Sequence, residues 1–394
     1  MENNKFTLIY GGLSESSHTS SKVFESSYIT DTRLMGVVGM YIHWSLPDNP
    51  VMSDFHQFFY FDAEEYGFET YQSTVGNNKA EITEIERSLI GGLGGEKIPL
   101  TEVEACFMVQ HYVAFNKAKD IPLPEGKKEY DFILNIPAKL TDPESYILLR
   151  KQCTKITSVN EAINYFLMRC FGKDFAVALF LASSNIKVDL FPELKDATLC
   201  KNAIDDGPQD NSYICESLIE YNDNYHIVIT HIVMENLQIK SFERVSTFKV
   251  SSAEAAMMLS RPEFITLYEF LGDVNMIDPD SFPLFANAVC TSHPNGELYM
   301  VFNPSNKHVD KRVFRLNEDV LGLYFICDEG QIIVASYSLD GIRSMEADLK
   351  KSSMYSAMVP LSKYEFKEPV LYEFISSGLE RFEDFVELIK DENE

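Results

Sequence analysis

Apolar residues recur along this chain with two periods, and the spacing sorts most of it into strands or helices. The clearest strand pattern lies at 213–250. Residues 213–221 and 225–234 are dominated by Tyr, Ile, Val and Thr, the types that suit a pleated, half-buried surface. Asn222-Asp223-Asn224 separates them. Asn and Asp tolerate left-handed backbone and bond to their own main chain, so a hairpin loop is predicted there. In 225–234 both alternating sets are apolar: Tyr225, Ile227, Ile229 and Val233 against Val228, Ile232 and Met234. A strand apolar on both faces is covered on both faces, which places this one centrally in its sheet. Glu235-Asn236 turns the chain, and 237–250 returns as a more polar strand suited to a place nearer the edge.

The same reading extends along the chain. Strands are predicted at 6–10, stopped by Gly11-Gly12, at 34–46, and at the aromatic run 55–61, with a Ser- and Thr-rich loop at 14–27. Ile82, Ile85 and Leu89 give 80–90 helical spacing, and the glycines of 91–95 read as a helix C-cap and connector. Capping boxes at Thr101/Glu104, Ser158/Glu161 and Ser251/Glu254 open three helices. The first carries Phe107, Met108, His111 and Phe115 on one stripe, predicted to face a core. The helix over 162–171 is apolar nearly all round and so buried, and Asp174 caps a second one through 182. A strand is expected at 130–136 and a helix at 264–271. Asn295-Gly296 and Asp328-Glu329-Gly330, each between apolar runs, mark two more hairpins. Residues 371–389 read as a single closing amphipathic helix. The tetrapeptide Leu-Tyr-Glu-Phe occurs at 267–270 and again at 371–374, too short to establish duplication.

Short turns between strands imply antiparallel pairing, so the expected fold class is α+β, with predominantly antiparallel sheets and packed helices. The 394 residues exceed what one core ordinarily supports. The polar, Gly-Pro-containing stretch 202–211 marks the expected boundary. It divides a mixed α/β domain, 1–205, from a sheet-rich domain, 206–394, closed by the last helix.

Charge narrows the partners. The chain carries 34 basic and 60 acidic residues, a formal charge of −26, which repels nucleic-acid phosphates and anionic lipid. Its basic runs do not exceed a pair, such as Lys127-Lys128. The longest uninterrupted apolar run, 175–182, falls short of the ~18 residues a membrane span needs. The seven cysteines are dispersed, with no Cys-x-x-Cys pair, as in a reducing compartment. With no secretory leader pattern at the N-terminus, a cytoplasmic protein is expected, with no nucleic-acid or membrane partner.

Candidate chemistry gathers around the aromatic run. His43, His56 and Asp62 would converge if their two strands paired, and two imidazoles with a carboxylate suit zinc or iron(II). Their spacing matches no recognised ligand pattern, and scattered histidines are common in aromatic cores, so structural use is the stronger reading. His226 and His231 lie five apart on one strand and point to opposite faces. Gly12-Leu-Ser-Glu-Ser16 lacks the final Gly of a nucleophile elbow. Lys97 after the 91–95 glycines lacks the Ser or Thr and the helix of a phosphate loop. With these motifs incomplete, the expected function is a non-catalytic interaction or regulatory protein, with no cofactor assigned. Aromatic residues would anchor its protein interface. The alternatives are a metal-dependent hydrolase using His43, His56 and nearby carboxylates, and a small-molecule sensor with a pocket between the two domains.

Overall fold

The computed structural model describes residues 21–48, 53–183, 186–277, 288–302 and 320–391. The expected strand at 6–10 and the elbow-like Ser14 lie outside them. Contacts divide the chain into two compact units, Met1–Lys155 and Ile156–Glu394.

In the first unit the alternating segments form an antiparallel meander. Its strands are β1 (Val23–Thr30), β2 (Val37–Ser45), β3 (Asp54–Asp62) and β4 (Gly67–Val75). Helix α1 (Lys79–Leu89) then leads to the short β5 (Lys97–Pro99), which pairs with β1, giving the order β4-β3-β2-β1-β5. Residues 23–27 are thus strand where their Ser content predicts loop. Ser27 is buried and donates to the Leu100 carbonyl at 3.0 Å, so the polar side chain is satisfied inside the sheet. One face of the sheet presents Met40, Ile42, Trp44, Phe55, Phe59 and Phe61 to α2 (Glu102–Lys119). On the other face Phe58 packs on Ile85 and Ile90 of the α1 region.

Helix α2 opens on the predicted capping box, with Glu104 N–H donating to Thr101 Oγ1 and Thr101 N–H to Glu104 Oε2. Its buried stripe is Ala105, Cys106, Met108, Val109, Tyr112 and Asn116, and His111 is exposed. The stripe is rotated by one position from the predicted one. Residues 130–136 are not a strand. They continue the short α3 (Lys127–Tyr130) as a 3-10 turn over Asp131–Asn135. Gln110 Nε2 donates to the Ile133 and Ile136 carbonyls, both at 2.8 Å, taking the place of a neighbouring strand. After α4 (Asp142–Lys151), Gln152 Oε1 and the Tyr112 hydroxyl both accept from buried Arg33, at 3.0 and 2.9 Å.

The second unit begins with α5 (Val159–Gly172) and α6 (Phe175–Phe180). A four-stranded antiparallel sheet follows, of β6 (Thr198–Asp206), β7 (Ser212–Tyr221), β8 (Asn224–Glu235) and β9 (Gln238–Val250), in that order. Strand β8 is interior and β9 is an edge, as the apolar pattern predicts. The hairpin turns place Asn222 and Asp223, then Asn236 and Leu237, at positive φ. Two successive left-handed residues match the right-handed twist of paired strands. The stretch 202–211, expected to be a boundary, is the end of β6 and its turn into β7. Helices α5 and α6, expected in the core of the first domain, belong to the second unit. Phe166 of α5 packs edge-on against Phe242 of β9 at 4.9 Å, and Asn164 Oδ1 accepts from Asn202 of β6 at 2.8 Å.

Helix α7 (Ser252–Leu259) precedes a six-stranded sheet of β10 (Glu263–Phe270), β11 (Val289–His293), β12 (Gly296–Phe302), β13 (Val320–Cys327), β14 (Gln331–Ser336) and β15 (Met358–Phe366). Its order is β11-β12-β13-β14-β10-β15, every pairing antiparallel. Helix α8 (Leu339–Leu349) covers one face through Ile342, Met345 and Leu349. Helices α9 (Leu371–Ser377) and α10 (Phe382–Asp391) cover the other through Phe374, Phe382 and Phe385. Residues 264–271, expected to be helical, form an interior strand instead: Ile265 and Leu267 face α9 and α10, and Tyr268 and Phe270 face the α8 side. Helical spacing cannot be told from a doubly buried strand over so short a run. Leu-Tyr-Glu-Phe is strand at 267–270 and helix at 371–374. The single closing helix is two helices, parted at Gly378, whose φ is +72°.

Both closing helices are capped from the sheet. Glu263, fully buried, accepts from the Val370 and Leu371 N–H groups at 2.7 and 3.0 Å. Gln331, also buried, accepts from Phe382 N–H at 3.0 Å and donates to Glu383 at 2.6 Å. Burial outweighs these bonds and pushes the Glu263 carboxyl above the usual carboxylate range. A group so shifted holds its proton longer in the folded chain than in the unfolded one. Its contribution is therefore complete at low pH and is lost as pH rises from the ordinary carboxylate value through its own. Denaturation of Glu263→Gln across pH 4–8 is expected to lose this falling component, and Glu263→Ala to cost about 0.5–2 kcal/mol through the lost cap.

Candidate functional site

The histidines singled out by the sequence lie on the face of the first sheet that α1 covers. Strands β2 and β3 pair so that His43 stands directly opposite His56. Their rings stack at 4.6 Å with an interplanar angle of 15°. Tyr41, two residues before His43, stacks beside His56 at 5.9 Å and 15°, and Tyr28 of β1 on Tyr41 at 5.1 Å. Period-two alternation puts all four rings on one face.

Hydrogen bonds fix the protons. His56 Nε2 lies 3.1 Å from the Gly76 carbonyl, which only accepts, so Nε2 carries the proton. Its Nδ1 then accepts from the Tyr41 hydroxyl at 2.7 Å. Neither nitrogen of His56 has a lone pair left for a metal. His43 Nε2 lies 2.7 Å from Asp54 Oδ1 and donates to it; the two side chains are 23% and 18% exposed. Ser53 donates to the other oxygen of Asp54. Asp62 is elsewhere. It pairs with Val37, six positions along β3 from His56 and about 20 Å away at strand rise. There Asp62 Oδ1 accepts from Glu64 N–H and Glu65 N–H at 2.7 and 2.6 Å, closing the β3–β4 turn. Asp54 occupies the place the sequence reading gave to Asp62. The described residues contain no group of three or more His, Cys, Asp or Glu side chains placed to hold one metal ion.

The electrostatics follow from burial and neighbours. The Ser53 hydroxyl, more than His43 or Asn77, holds the Asp54 carboxyl below the usual range against the opposing effect of burial. Burial, then the neighbouring His43, push His56 below the ordinary imidazole range. Burial, with Glu86 and Asp54 nearby, pushes Tyr41 up to about 12, and burial and Glu86 push Tyr28 up as well. Glu86 is paired with Lys97, whose ammonium lies 5.1 Å from the Tyr28 ring centre.

The order Ser53–Asp54–His43 puts a carboxylate between hydroxyl and imidazole. A serine nucleophile needs the imidazole between them, so Ser53 gives its proton to the wrong partner for that chemistry. At five of the seven cysteines thiol chemistry is also disfavoured. Burial pushes Cys106, Cys215, Cys290 and Cys327 up to about 12 and Cys200 to about 11, and the thiolate is the reactive form. One hydroxyl–imidazole pair escaped the sequence reading: Thr291 Oγ1 and His293 Nε2 of β11, at 2.9 Å. Their i, i+2 spacing in a strand was the available signal.

No family model, curated protein or solved structure matches this chain. No helix among the described residues is long and apolar enough to cross a membrane.

Tyr41→Phe keeps the stacked ring and removes the donor to buried His56. The expected cost is about 1–3 kcal/mol in chemical denaturation, the penalty of an orphaned buried acceptor. In Ser53→Ala, the Asp54 carboxyl is expected to titrate higher, toward the ordinary range, as read by carboxyl carbon chemical shifts.

Proposed function

We propose that the protein works by binding a protein partner, through the surface formed by β9 and α7. The observation that carries this reading is the exposure of large apolar side chains on these two consecutive elements. Val245 is 59%, Phe248 48% and Met257 81% exposed. Singly exposed apolar residues are ordinary; here three fall within thirteen residues of chain. Phe248 is paired in register with Ile227, which packs with Ala255 and Met258 of α7, so Phe248 lies on the side of the sheet where α7 sits. Aromatic and Met side chains are those enriched at interface centres.

The edge backbone of β9 is poorly suited to adding another strand. Register shifts at Val245 and Lys240 bulge it, and it carries Lys240, Arg244 and Lys249. Bulges and basic residues blunt sheet edges, so recognition falls to side chains. Lys249 donates to Asn224, a neutral partner. Lys240 and Arg244 are paired with Glu235 and Glu193, which leaves Lys249 as the cation of this strand that suits an acidic group beside the partner's apolar centre. Engagement of the polar groups around His43 and His56 in internal bonds further supports binding over chemistry.

The test is affinity capture from extract with wild type, with the double variant Phe248→Lys/Met257→Lys, and with Tyr146→Lys, an exposed control on α4. A partner held by wild type and the control and lost by the folded double variant, and released by salt, is the expected result. Equal recovery by all three overturns the reading.

A further inference from the structure

We infer that the stacked imidazoles of His43 and His56 form a proton-operated latch on the turn between β4 and α1. With His56 neutral the turn is held, and a second proton on the pair releases it. The turn hangs on Gly76, whose φ is +99°. Gly76 N–H donates to the Asp54 carbonyl at 2.8 Å, and the Gly76 carbonyl accepts from His56 Nε2. Asn78, two residues on, is the N-cap position of α1, where its side chain makes no capping bond. The imidazole is thus one of three side-chain ties at this turn, beside Asn77 to Asp54 and Thr74 to Glu81.

The two rings differ in their surroundings: His43 Nε2 has a carboxylate oxygen at 2.7 Å, and both nitrogens of His56 face neutral groups. A proton on His43 is balanced by Asp54, which its Nε2 already contacts. A proton on His56 has to enter at Nδ1, the nitrogen that accepts from Tyr41. That hydroxyl must turn round and become an acceptor, and the two charged rings then lie face to face at 4.6 Å. Of the other side chains on this face, Asp54 favours a charged His56, but less than burial and His43 disfavour it. Asp54 is shared between His43 and Ser53 on β3. Thr74 of β4, opposite His56 in register, donates to Glu81 of α1. Glu86 of α1 is paired with Lys97 of β5, and Tyr28 of β1 and Tyr41 of β2 stay protonated because burial raises both. Like charges at this separation repel strongly where water is excluded, and the accessible relief is for the His56 ring to leave its place and let Gly76 go.

The sign follows. His56 titrates below the ordinary imidazole range in the latched state and nearer that range once released. The latch is therefore complete above the ordinary imidazole value and weakens as pH falls through the value His56 has in the fold. Between the two, opening of the turn rises by up to about tenfold per pH unit.

The experiment is hydrogen exchange of residues 76–89 in the full chain between pH 7.5 and 5, corrected for intrinsic exchange. It is run on wild type and on His56→Gln, whose amide keeps both hydrogen-bonding roles without titrating. Wild type is expected to open in this segment as pH falls, while the rest of the first unit stays protected and His56→Gln stays flat. A flat wild type, or the same rise in His56→Gln, overturns the proposal. Should His56→Gln not fold, His43→Gln decides: loss of the stacked charge is expected to move the His56 titration upward in histidine-labelled NMR, and an unmoved titration overturns the latch.

Discussion

Both faces of the β2–β3 hairpin are covered, and that constraint decides the fate of each polar side chain on it. Buried polar groups must find partners within the protein. On the α2 side Trp44 Nε1 donates to Gln57 Oε1 at 2.8 Å, and Gln57 Nε2 donates to the Tyr71 hydroxyl at 2.8 Å and the Glu129 carbonyl at 3.2 Å. On the α1 side His56 accepts a hydrogen bond from the Tyr41 hydroxyl and donates one to the Gly76 carbonyl. The hairpin is thus a layer of aromatic surface crossed by two short hydrogen-bonded chains, one on each face. Histidine on such a strand ends up held in one tautomer, and its chemistry becomes that of its neighbours.

What was legible in the sequence was local. A capping box is set by four consecutive residues, and those at Thr101, Ser158 and Ser251 form as their spacing implies. The Asn-Asp and Asn-Gly turns also carry their own backbone preference. The errors occur where distant partners decide. Leu-Tyr-Glu-Phe has no fixed structure: beside Glu263 and between β14 and β15 it is strand, and after Pro369 with two capped N–H groups it is helix. Residues 130–136 have strand composition, but the Ile133 and Ile136 carbonyls are taken by Gln110, a side chain of α2. The glycine at 378 ends a helix that its flanking apolar spacing would have continued.

The site was legible in part, for a related reason. Antiparallel partners share a constant sum of residue numbers, and His43 with His56 fixes that sum at 99. By the same sum Ser45 faces Asp54 and Val37 faces Asp62. Once the two histidines are opposite each other, Asp62 is six positions off, and Asp54 is the diagonal neighbour of His43. Proximity in the sequence made Asp62 attractive, while register makes Asp54 the partner. The bonds that Ser53, Tyr41 and Gly76 make were not accessible from spacing, because each depends on which rotamer a covered face permits.

The caps on α9 and α10 reach across the chain, 107 and 51 residues from their acceptors. Neither helix carries enough of its own to stand alone at seven and ten residues. On a chain emerging from the ribosome, β10 and β14 appear before the helices they serve. Residues 371–391 depend on the six-stranded layer for the hydrogen bonds at the start of both helices. Helix content in 371–391 therefore reports whether that sheet is assembled, and not helix propensity.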